Sequence, residues 1–440
     1  MGLGSFGGGA GVARFLIESG AAVMITDQRL AGELTEGWDL LEGLEYKMHL
    51  GGHREVDFTA EQTDLIVVNP AVKKDSPYLH IARQHHVPLT SEMNIFFQLC
   101  PAFLVGVTGS NGKSTTSAMM AEVLGAGAGG MARKKYRRVW MGGNIGRENL
   151  LSRVERIAPD DVVVLELSSF QLFDLTDIAR SPQVAVVTNI GPNHLDWHGD
   201  MDAYIKSKQN ILRYQTKDDY VVLNRLDKEL AGWSHLGLGR ACWFPGESER
   251  LFKLQVVGKH NQLNASAAAK VGELFGIERS AIAAALYEFK GLEHRLELVR
   301  ELDGVRYFND SLATTPESVM VALDSFEEPL VLILGGYDKK ISFTILADKL
   351  VHTPHVKAVI LIGQVRDKLM GEIQQGKQRT GAQFPECFKA ESFSEAVNLA
   401  RQQSRSGGVV LMSPACASYD MFKNFRQRGE EFRRMVQDFG

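Results

Sequence analysis

The stretch LVGVTGSNGKSTTSAMMAEVL, residues 104 to 124, decides the class of fold. An apolar run typical of a buried strand enters a tight glycine turn, and a helical pattern follows the turn. Backbone N–H groups of such a turn and of the helix N-terminus bind phosphate oxygens. A lysine and two hydroxyl residues follow the glycines directly, which favours a phosphate loop over an ordinary tight turn. We therefore predict that a nucleotide binds at Gly109, Ser110, Asn111, Gly112, Lys113, Ser114 and Thr115.

The lysine and the serine of this loop have separate predicted tasks. Lys113 would reach the β- and γ-phosphates, and Ser114 would offer its hydroxyl group to magnesium. The spacing is the short TGxNGK form, because Val107 stands where the longer GxxxxGK form has its first glycine.

Short apolar runs recur along the chain, each followed by glycine or small polar residues and then by a helical pattern. They occupy residues 21–27, 64–69, 103–109, 161–169, 184–190, 220–224, 330–336, 358–363 and 408–413. This alternation predicts an α/β fold in which helices cover both faces of parallel sheets. In such sheets, ligands bind beyond the carboxyl ends of the strands.

The length of 440 residues indicates about three domains, at roughly 150 residues each. The segment QLCPA precedes the strand of the phosphate loop, so a first domain would span residues 1–98. The segment FKGLEH ends an alanine-rich helix, so the second would span 99–291 and the third 292–440. Just beyond this second boundary, Asp303 and Gly304 fit the tight turn of a hairpin.

Composition argues against several classes of protein. With 44% hydrophobic and 23% charged residues and no apolar run of about 18, the chain is typical of globular proteins. A net charge of −4 gives no reason to expect nucleic acid as a partner, and we interpret the basic run Arg133–Arg138 as a solvated face. The N-terminus shows no secretory signal, so we expect a cytoplasmic monomer without membrane insertion.

Polar residues at the carboxyl ends of two other strands are candidate ligands for a metal. Glu166 ends the run DVVVLELSS, where an unpaired carboxylate is costly to bury, so we expect a cation beside it. Magnesium fits because hard cations share oxygen ligands with phosphates, and a salt bridge to arginine or lysine is the alternative. His194 and His198 follow the run VAVVTNI, and we favour a capping or packing role for His198.

Two further patterns leave their alternatives open. Asn261 and Asn264 lie three apart at the start of an alanine-rich pattern, where N-capping and ligand binding fit equally. The glycines between residues 2 and 11, with Asp27 after the next apolar run, match a dinucleotide-binding turn only in part, because no strand precedes Gly2.

Taken together, the motifs resemble those of the Mur ligase family of ATP-dependent amide ligases. Within that family, the resemblance is strongest to the members that add D-glutamate. In chain order they are TGSNGKST, GGNIG at 142–146, ELSSFQL, TNIGPNHLDWH, GKHNQLNASAA, LEHRLELV, FNDSLATT, LILGGYDKK and SPACASYDMFKNFRQRGEEF. The resemblance covers nearly the whole chain. It implies a Rossmann-like N-terminal domain for the UDP-sugar, a central ATPase-type parallel sheet, and a Rossmann-like C-terminal domain for the amino acid.

The resemblance also implies the chemistry and its residues. ATP would activate the L-alanine carboxylate of UDP-N-acetylmuramoyl-L-alanine as an acyl phosphate, which D-glutamate would attack. The implied catalytic residues are Lys113, His194 and Lys208, and the implied ligands of Mg²⁺ are Ser114, Glu166, His194 and a carbamylated Lys208. The nucleotide would also contact Asn264, Arg295 and Asp310. Asp27, Gln28 and Asn144 would hold the UDP-sugar, and Thr314, Lys339, Ser418 and Phe425 would hold D-glutamate.

The chain departs from the family pattern at two positions. Leu312 stands where a lysine is usual, and Asn193 stands where an aspartate often precedes the loop histidine. Another amide ligase of the same fold, a nicotinamide-dependent dehydrogenase and a nucleotide-binding regulator are the alternative functions. A dehydrogenase leaves TGSNGKST unexplained.

We predict that Lys113→Ala abolishes ATP-dependent amide formation and leaves the fold intact. A loop lysine contributes little packing, but it supplies charge to the phosphoryl group during transfer. Phosphate release measures the activity, and circular dichroism measures the fold. Near-normal turnover by this variant would contradict the assignment.

Overall fold

The computed structural model describes residues 1–4, 8–34, 37–128, 135–144, 149–247 and 251–440, and for Asp196 only the backbone. The chain divides into two units. One contains Met1–Phe252 and Leu263–Leu286, and the other contains Lys253–Gln262 and Tyr287–Gly440. The division at 1–98, 99–291 and 292–440 stays a prediction.

The N-terminal region of the first unit contains two short pairs of parallel strands. Its elements are α1 Gly8–Glu18, β1 Met24–Asp27, β2 Lys47–Leu50, β3 Ile66–Val67, α2 Pro77–Gln84, β4 Leu89–Thr90 and α3 Glu92–Leu99. β1 pairs with β2, and β3 pairs with β4. The N–H of Gly2 donates to the carbonyl of Thr26 at 2.8 Å, and the N–H of Asn69 donates to that of Met1 at 3.0 Å. The first residues therefore link the two strand pairs, which is the role of a central strand.

A six-stranded parallel sheet follows in the same unit. Its elements are β5 Phe103–Thr108, α4 Lys113–Gly127, β6 Val139–Gly143, β7 Val162–Glu166, α5 Ser169–Asp174, β8 Val184–Val187, α6 Leu195–His198, α7 Met201–Arg213, β9 Tyr220–Asn224, β10 Arg240–Phe244, α8 His260–Leu274 and α9 Arg279–Glu288. The strand order is β10-β9-β8-β5-β7-β6. The order reverses between β5 and β8, and ligands of such sheets bind at this reversal.

A second six-stranded sheet, in the other unit, is parallel except for the hairpin at its edge. Its elements are β11 Glu297–Leu302, β12 Val305–Asn309, α10 Pro316–Leu323, β13 Leu330–Gly335, α11 Thr344–Val351, β14 Val356–Ile362, α12 Arg366–Thr380, β15 Glu386–Lys389, α13 Phe393–Gln403, β16 Val409–Met412 and α14 Phe425–Gln437. The strand order is β11-β12-β16-β13-β14-β15, which reverses between β16 and β13.

Alternation along β13 explains why helices cover both faces of this sheet. Leu332 and Leu334 pack into a core with Leu346 of α11, whereas Val331 and Ile333 pack into the core on the opposite face. A strand buried on both faces reads as a continuous apolar run, because neighbouring side chains point to opposite sides. The predicted α/β class with parallel sheets is confirmed, and each of the apolar runs predicted as a strand overlaps one.

The predicted hairpin is also confirmed. β11 and β12 pair in antiparallel fashion, and Asp303 and Gly304 have φ values of +53° and +73°. Positive φ at both central residues defines the tight primed turn, which suits the twist of the flanking strands. Within the described parts of the chain, we find no helix that combines the length and the apolar character needed to cross a membrane.

Candidate active site

The first candidate site lies at the carboxyl ends of β5, β7 and β8, which are neighbours in the central sheet. We call this place the central crevice. The phosphate loop, Gly109–Gly112, follows β5, and Glu166 ends β7. Glu166 pairs with Val107 of β5, so the carboxylate strand and the phosphate-loop strand end side by side. The sheet thus gathers residues that lie far apart in sequence.

The backbone of the phosphate loop requires its glycines. A side chain at Gly109, where φ is +146°, would meet Thr188 Oγ1 at 1.9 Å, and one at Gly112, where φ is +81°, would meet Asn264 Oδ1 at 2.5 Å. Asn264, a predicted nucleotide residue, therefore lies against the loop, and its Oδ1 also accepts from Thr116 Oγ1 at 3.1 Å. α4 begins immediately after Gly112, so the N–H groups of its first turn have no helical acceptors and can bind an anion.

Lys113 and Lys208 share one carbonyl oxygen of this loop. Lys113 Nζ donates to the carbonyls of Gly109 and Ser110, each at 3.0 Å. Lys208 Nζ donates to the same Gly109 carbonyl at 2.9 Å and to Thr108 Oγ1 at 3.2 Å. Lys208 is 1% exposed. Burial, and then the neighbouring charge of Lys113, lower the pKa of Lys208 well below its ordinary value, although Glu166 opposes the shift.

Glu166 lies in the same crevice with half of its carboxylate unsatisfied. The residue is 2% exposed, and its Oε1 accepts from Asn144 Nδ2 at 3.0 Å. Its Oε2 has no hydrogen-bond partner among the described residues, and the described ion pairs do not include Glu166. A buried carboxylate oxygen without a hydrogen-bond partner is costly. The bound cation and the salt bridge both stay predictions, because Lys208 interacts with Glu166 through its charge. Asn144, which resemblance assigned to the UDP-sugar, contacts this carboxylate.

The two histidines after β8 lie against Phe170. His194 is exposed, occupies the position before α6 with φ of +54°, and has its ring centroid 4.9 Å from that of Phe170. His198 stacks on Phe170, and its Nε2 lies 2.9 Å from Ser169 Oγ at the start of α5. These contacts give His198 the packing role that we favoured from the sequence. Among the described residues, no three or more His, Cys, Asp or Glu side chains form a group that could hold a metal by themselves.

Asp27 organises the turn after β1. Its Oδ2 accepts from the N–H of Leu3 at 2.8 Å, and its Oδ1 accepts from the N–H of Arg29 at 2.9 Å. The Arg29 guanidinium also bonds both carboxylate oxygens, at 3.2 and 3.1 Å. Burial alone would raise the pKa of Asp27, but these bonds hold it below its ordinary value. Gln28 beside it is exposed.

Residues 5–7 of the predicted glycine turn, and residues 145 and 146 of GGNIG, lie outside the described residues.

The second candidate site lies where the strand order of the C-terminal sheet reverses, beyond β13 and β16. We call it the C-terminal crevice. Lys339, after β13, donates from Nζ to the carbonyl of Thr314 at 3.4 Å. Ser418, after β16, is 1% exposed, and its Oγ has no partner among the described residues. Phe425 starts α14, and its carbonyl accepts from Ser311 Oγ at 2.7 Å. The residues assigned to D-glutamate thus belong to the segments at this edge of the sheet.

Asp310 lies beside these segments at the end of β12. It is 5% exposed and accepts from Ser413 Oγ at 2.7 Å and from the N–H of Leu296 at 3.2 Å. Burial raises its pKa to about 7, against the Ser413 bond and the charge of Arg295. Arg295 and Asp310, the predicted nucleotide residues of this unit, therefore interact electrostatically.

Arg428 was not predicted from the sequence, although it holds this crevice together. The guanidinium is 1% exposed and donates to Ser311 Oγ at 3.0 Å, to the Ser311 carbonyl at 2.9 Å and to the Cys416 carbonyl at 3.0 Å. It ties α14 to the segments after β12 and β16. Burial lowers its pKa to about 10. Its sequence setting, RQRGEEF at a helix start, does not distinguish it from surface arginines.

Comparison with known proteins adds evidence independent of this geometry. The family model described as the Mur ligase middle domain matches residues 107–241, and the one described as the Mur ligase, glutamate ligase domain, matches residues 294–416. These two spans include the central crevice and the part of the C-terminal crevice that contains Thr314 and Lys339.

Curated relatives match over nearly their whole length. A UDP-N-acetylmuramoylalanine--D-glutamate ligase from Roseiflexus sp. (strain RS-1) is 40% identical, with 100% of this chain and 98% of the relative covered. An enzyme of the same name from Clostridium kluyveri is 38% identical, with 96% of this chain and 93% of the relative covered.

Solved structures share the fold at lower identity. The UDP-N-acetylmuramate-alanine ligase from Thermotoga maritima has a TM-score of 0.62 at 20% identity, with 99% of this chain and 98% of that chain covered. A MurF ligase from Thermotoga maritima in complex with ADP has a TM-score of 0.58 at 15% identity, with 85% and 98% covered. With family models matching both crevice regions and a relative 40% identical across the full chain, this protein belongs to the Mur ligase family.

Proposed function

We propose that the protein joins D-glutamate to UDP-N-acetylmuramoyl-L-alanine at the expense of ATP, a step in the synthesis of peptidoglycan precursors. The relatives that match the whole chain have the name of this enzyme. The observation that best supports nucleotide-driven chemistry is the central crevice, where the phosphate loop, Lys113, Lys208 and Glu166 meet. The substrates would be small molecules, and the protein would act as a monomer in the cytoplasm.

The proposed reaction has two steps. An oxygen of the L-alanine carboxylate attacks the γ-phosphorus of ATP, the bond to ADP breaks, and an acyl phosphate forms. The amine of D-glutamate then attacks the acyl carbon, loses a proton, and expels phosphate as the amide forms. Lys113 would stabilise the charge that develops on the phosphoryl oxygens, and the N–H groups at the start of α4 would position them. His194 or a bound carboxylate would accept the amine proton.

The central crevice fits the magnesium that such chemistry uses. Glu166 offers the unsatisfied Oε2, and Ser114 at the start of α4 offers a hydroxyl group. His194 would be a ligand of a second magnesium, and nucleotide phosphates and water would complete both ligand sets. Bound magnesium would offset negative charge on the phosphoryl oxygens.

Lys208 fits carbamylation by carbon dioxide. The reaction requires a neutral amine, and burial together with the charge of Lys113 favours the neutral form of Lys208. The Nζ lone pair forms a bond to the carbon of CO₂, and a proton leaves to solvent. The amine becomes a carbamate with one negative charge, whose oxygens would hold a hard cation directly or through water.

The C-terminal crevice is the proposed site for D-glutamate. Lys339 presents an ammonium group that suits a carboxylate, and the buried Ser418 Oγ is a hydrogen-bonding group without a protein partner among the described residues. Thr314 and Phe425 flank them in sequence segments that Arg428 anchors. The Asp27 turn with Gln28 is the proposed contact for the UDP-sugar, together with Asn144.

The proposed activity predicts which substrates phosphate release requires. Release from ATP should require both UDP-N-acetylmuramoyl-L-alanine and D-glutamate, because the acyl phosphate needs one and its consumption needs the other. L-glutamate, glycine and other amino acids in place of D-glutamate are the comparison. Faster release with any other amino acid would assign the protein to a different amide ligase.

Lys208→Arg should lose most activity although it keeps the positive charge, because a guanidinium stays protonated and forms no carbamate. Lys208→Ala should regain part of its activity when short carboxylic acids are added, since they can occupy the vacated space. Isotopically labelled bicarbonate should give the wild-type protein a carbamate signal by nuclear magnetic resonance that both variants lack. Full activity of Lys208→Arg would disprove the carbamate.

Arg428→Lys should raise the KM for D-glutamate and lower stability by about 2 kcal/mol, because one ammonium cannot replace three guanidinium bonds to two segments. Steady-state kinetics and denaturant unfolding measure the two effects. The exposed Arg434 of the same helix is the matched control, since Arg434→Lys keeps a cation beside Glu431 and Asp438 and should change neither quantity. Equal KM values for D-glutamate in the Arg428→Lys and wild-type proteins would refute this role.

A further inference from the structure

Asn189, two residues after β8, forms hydrogen bonds with the phosphate loop. The N–H of Ser110 donates to the Asn189 carbonyl at 2.8 Å, and the N–H of Asn111 donates to Asn189 Oδ1 at 2.9 Å. Asn189 Nδ2 donates in return to the Asn111 carbonyl at 2.9 Å. One carboxamide therefore bonds both backbone groups of Asn111, whose carbonyl also accepts from Thr188 Oγ1 at 2.6 Å.

The orientation of this carboxamide follows from its partners. A backbone N–H can only donate and a backbone carbonyl can only accept, so Oδ1 must face the N–H of Asn111 and Nδ2 its carbonyl. An aspartate of the same shape could accept the first bond but could not donate the second. The arrangement is therefore specific for asparagine.

Ser110 is anchored on its other side as well. Its hydroxyl donates to the Gly191 carbonyl at 2.8 Å and accepts from the N–H of Gly191 at 2.8 Å. Since its proton is used, the bond of 2.9 Å to Tyr204 must be donated by the tyrosine. The side chain and the N–H of Ser110 both have protein partners, so this part of the loop is held by β8 and α7.

We propose that Asn189 is a positioning residue that keeps the phosphate loop in its nucleotide-binding shape before the nucleotide arrives. The N–H groups of Ser110 and Asn111 serve this internal contact, and those at the start of α4 remain for the phosphates. A loop ordered in advance avoids the entropy cost of ordering it on binding. The inference rests on the proposed use of ATP, and it adds a residue that lies outside the phosphate-loop motif TGSNGKST.

The test compares Asn189→Ala and Asn189→Asp with the wild-type protein. ADP affinity is measured by calorimetry, and kcat and KM are measured for ATP and for D-glutamate. Loss of the carboxamide bonds and of loop order should weaken ADP binding by about tenfold. The aspartate should weaken it further, because its carboxylate would oppose both the Asn111 carbonyl and the phosphates. The KM for ATP should rise while the KM for D-glutamate stays constant.

Asn94→Ala is the matched control. Asn94 is 0% exposed and donates from Nδ2 to the Asp174 carbonyl at 2.8 Å, so its loss removes a buried carboxamide elsewhere in the same unit. It should lower the melting temperature at least as much as Asn189→Ala without changing ADP affinity. An equal loss of ADP affinity in Asn94→Ala would reduce the effect to general destabilisation and overturn the proposal.

Unchanged ADP binding by Asn189→Ala also overturns the proposal. Tighter ADP binding overturns it as well, because it would mean that Asn189 competes with the phosphates. The proposed function fails in a different way. A wild-type protein that binds ADP but releases no phosphate with D-glutamate would disprove the ligase activity and leave the affinity test of Asn189 valid. A wild-type protein that binds no ADP would overturn both.

Discussion

The carbonyl oxygen of Gly109 accepts hydrogen bonds from Lys113 and from Lys208, and the electrostatics of the central crevice depend on this shared acceptor. Two ammonium groups on one oxygen repel each other, and the more deeply buried one loses its proton more readily. Lys113 is only partly buried. Burial and the charge of Lys113 lower the pKa of Lys208, which shifts its equilibrium toward the neutral amine, the form that reacts with carbon dioxide.

The shared acceptor exists only because glycine occupies position 109. Its φ of +146° lies in a region that side-chain-bearing residues rarely adopt, and the closeness of Thr188 leaves no room for a side chain. The same closeness brings Thr188 and Asn189 of β8 against the loop, so the turn that presents the carbonyl also creates the carboxamide contact. The close approach of the segments that follow β5 and β8 therefore requires glycine at position 109 and allows the contact between Asn189 and the loop.

The two crevices lie at the same kind of place in their sheets, but different hydrogen-bonding groups hold their loops. Both lie where the strand order of a parallel sheet reverses, which brings together loops that follow non-consecutive strands. In the central crevice, backbone and carboxamide bonds hold the loops. In the C-terminal crevice, the buried guanidinium of Arg428 does so, through carbonyl and hydroxyl acceptors rather than a paired carboxylate. A planar group with five donors can hold several segments at once.

The sequence by itself determined the features that depend on local order. The phosphate loop, the buried strands and the turn at Asp303–Gly304 follow from glycine placement and apolar runs, which act over a few residues. Shorter strands such as β3 and β4, with two residues each, leave too little pattern to give their bounds. Only the tertiary structure decided which distant groups meet. Asn189 contacts Asn111 across 78 positions, and Arg428 contacts Ser311 across 117. The sequence around each of these two residues does not distinguish it from a solvent-exposed residue. Their partners are set by the order of the strands in each sheet.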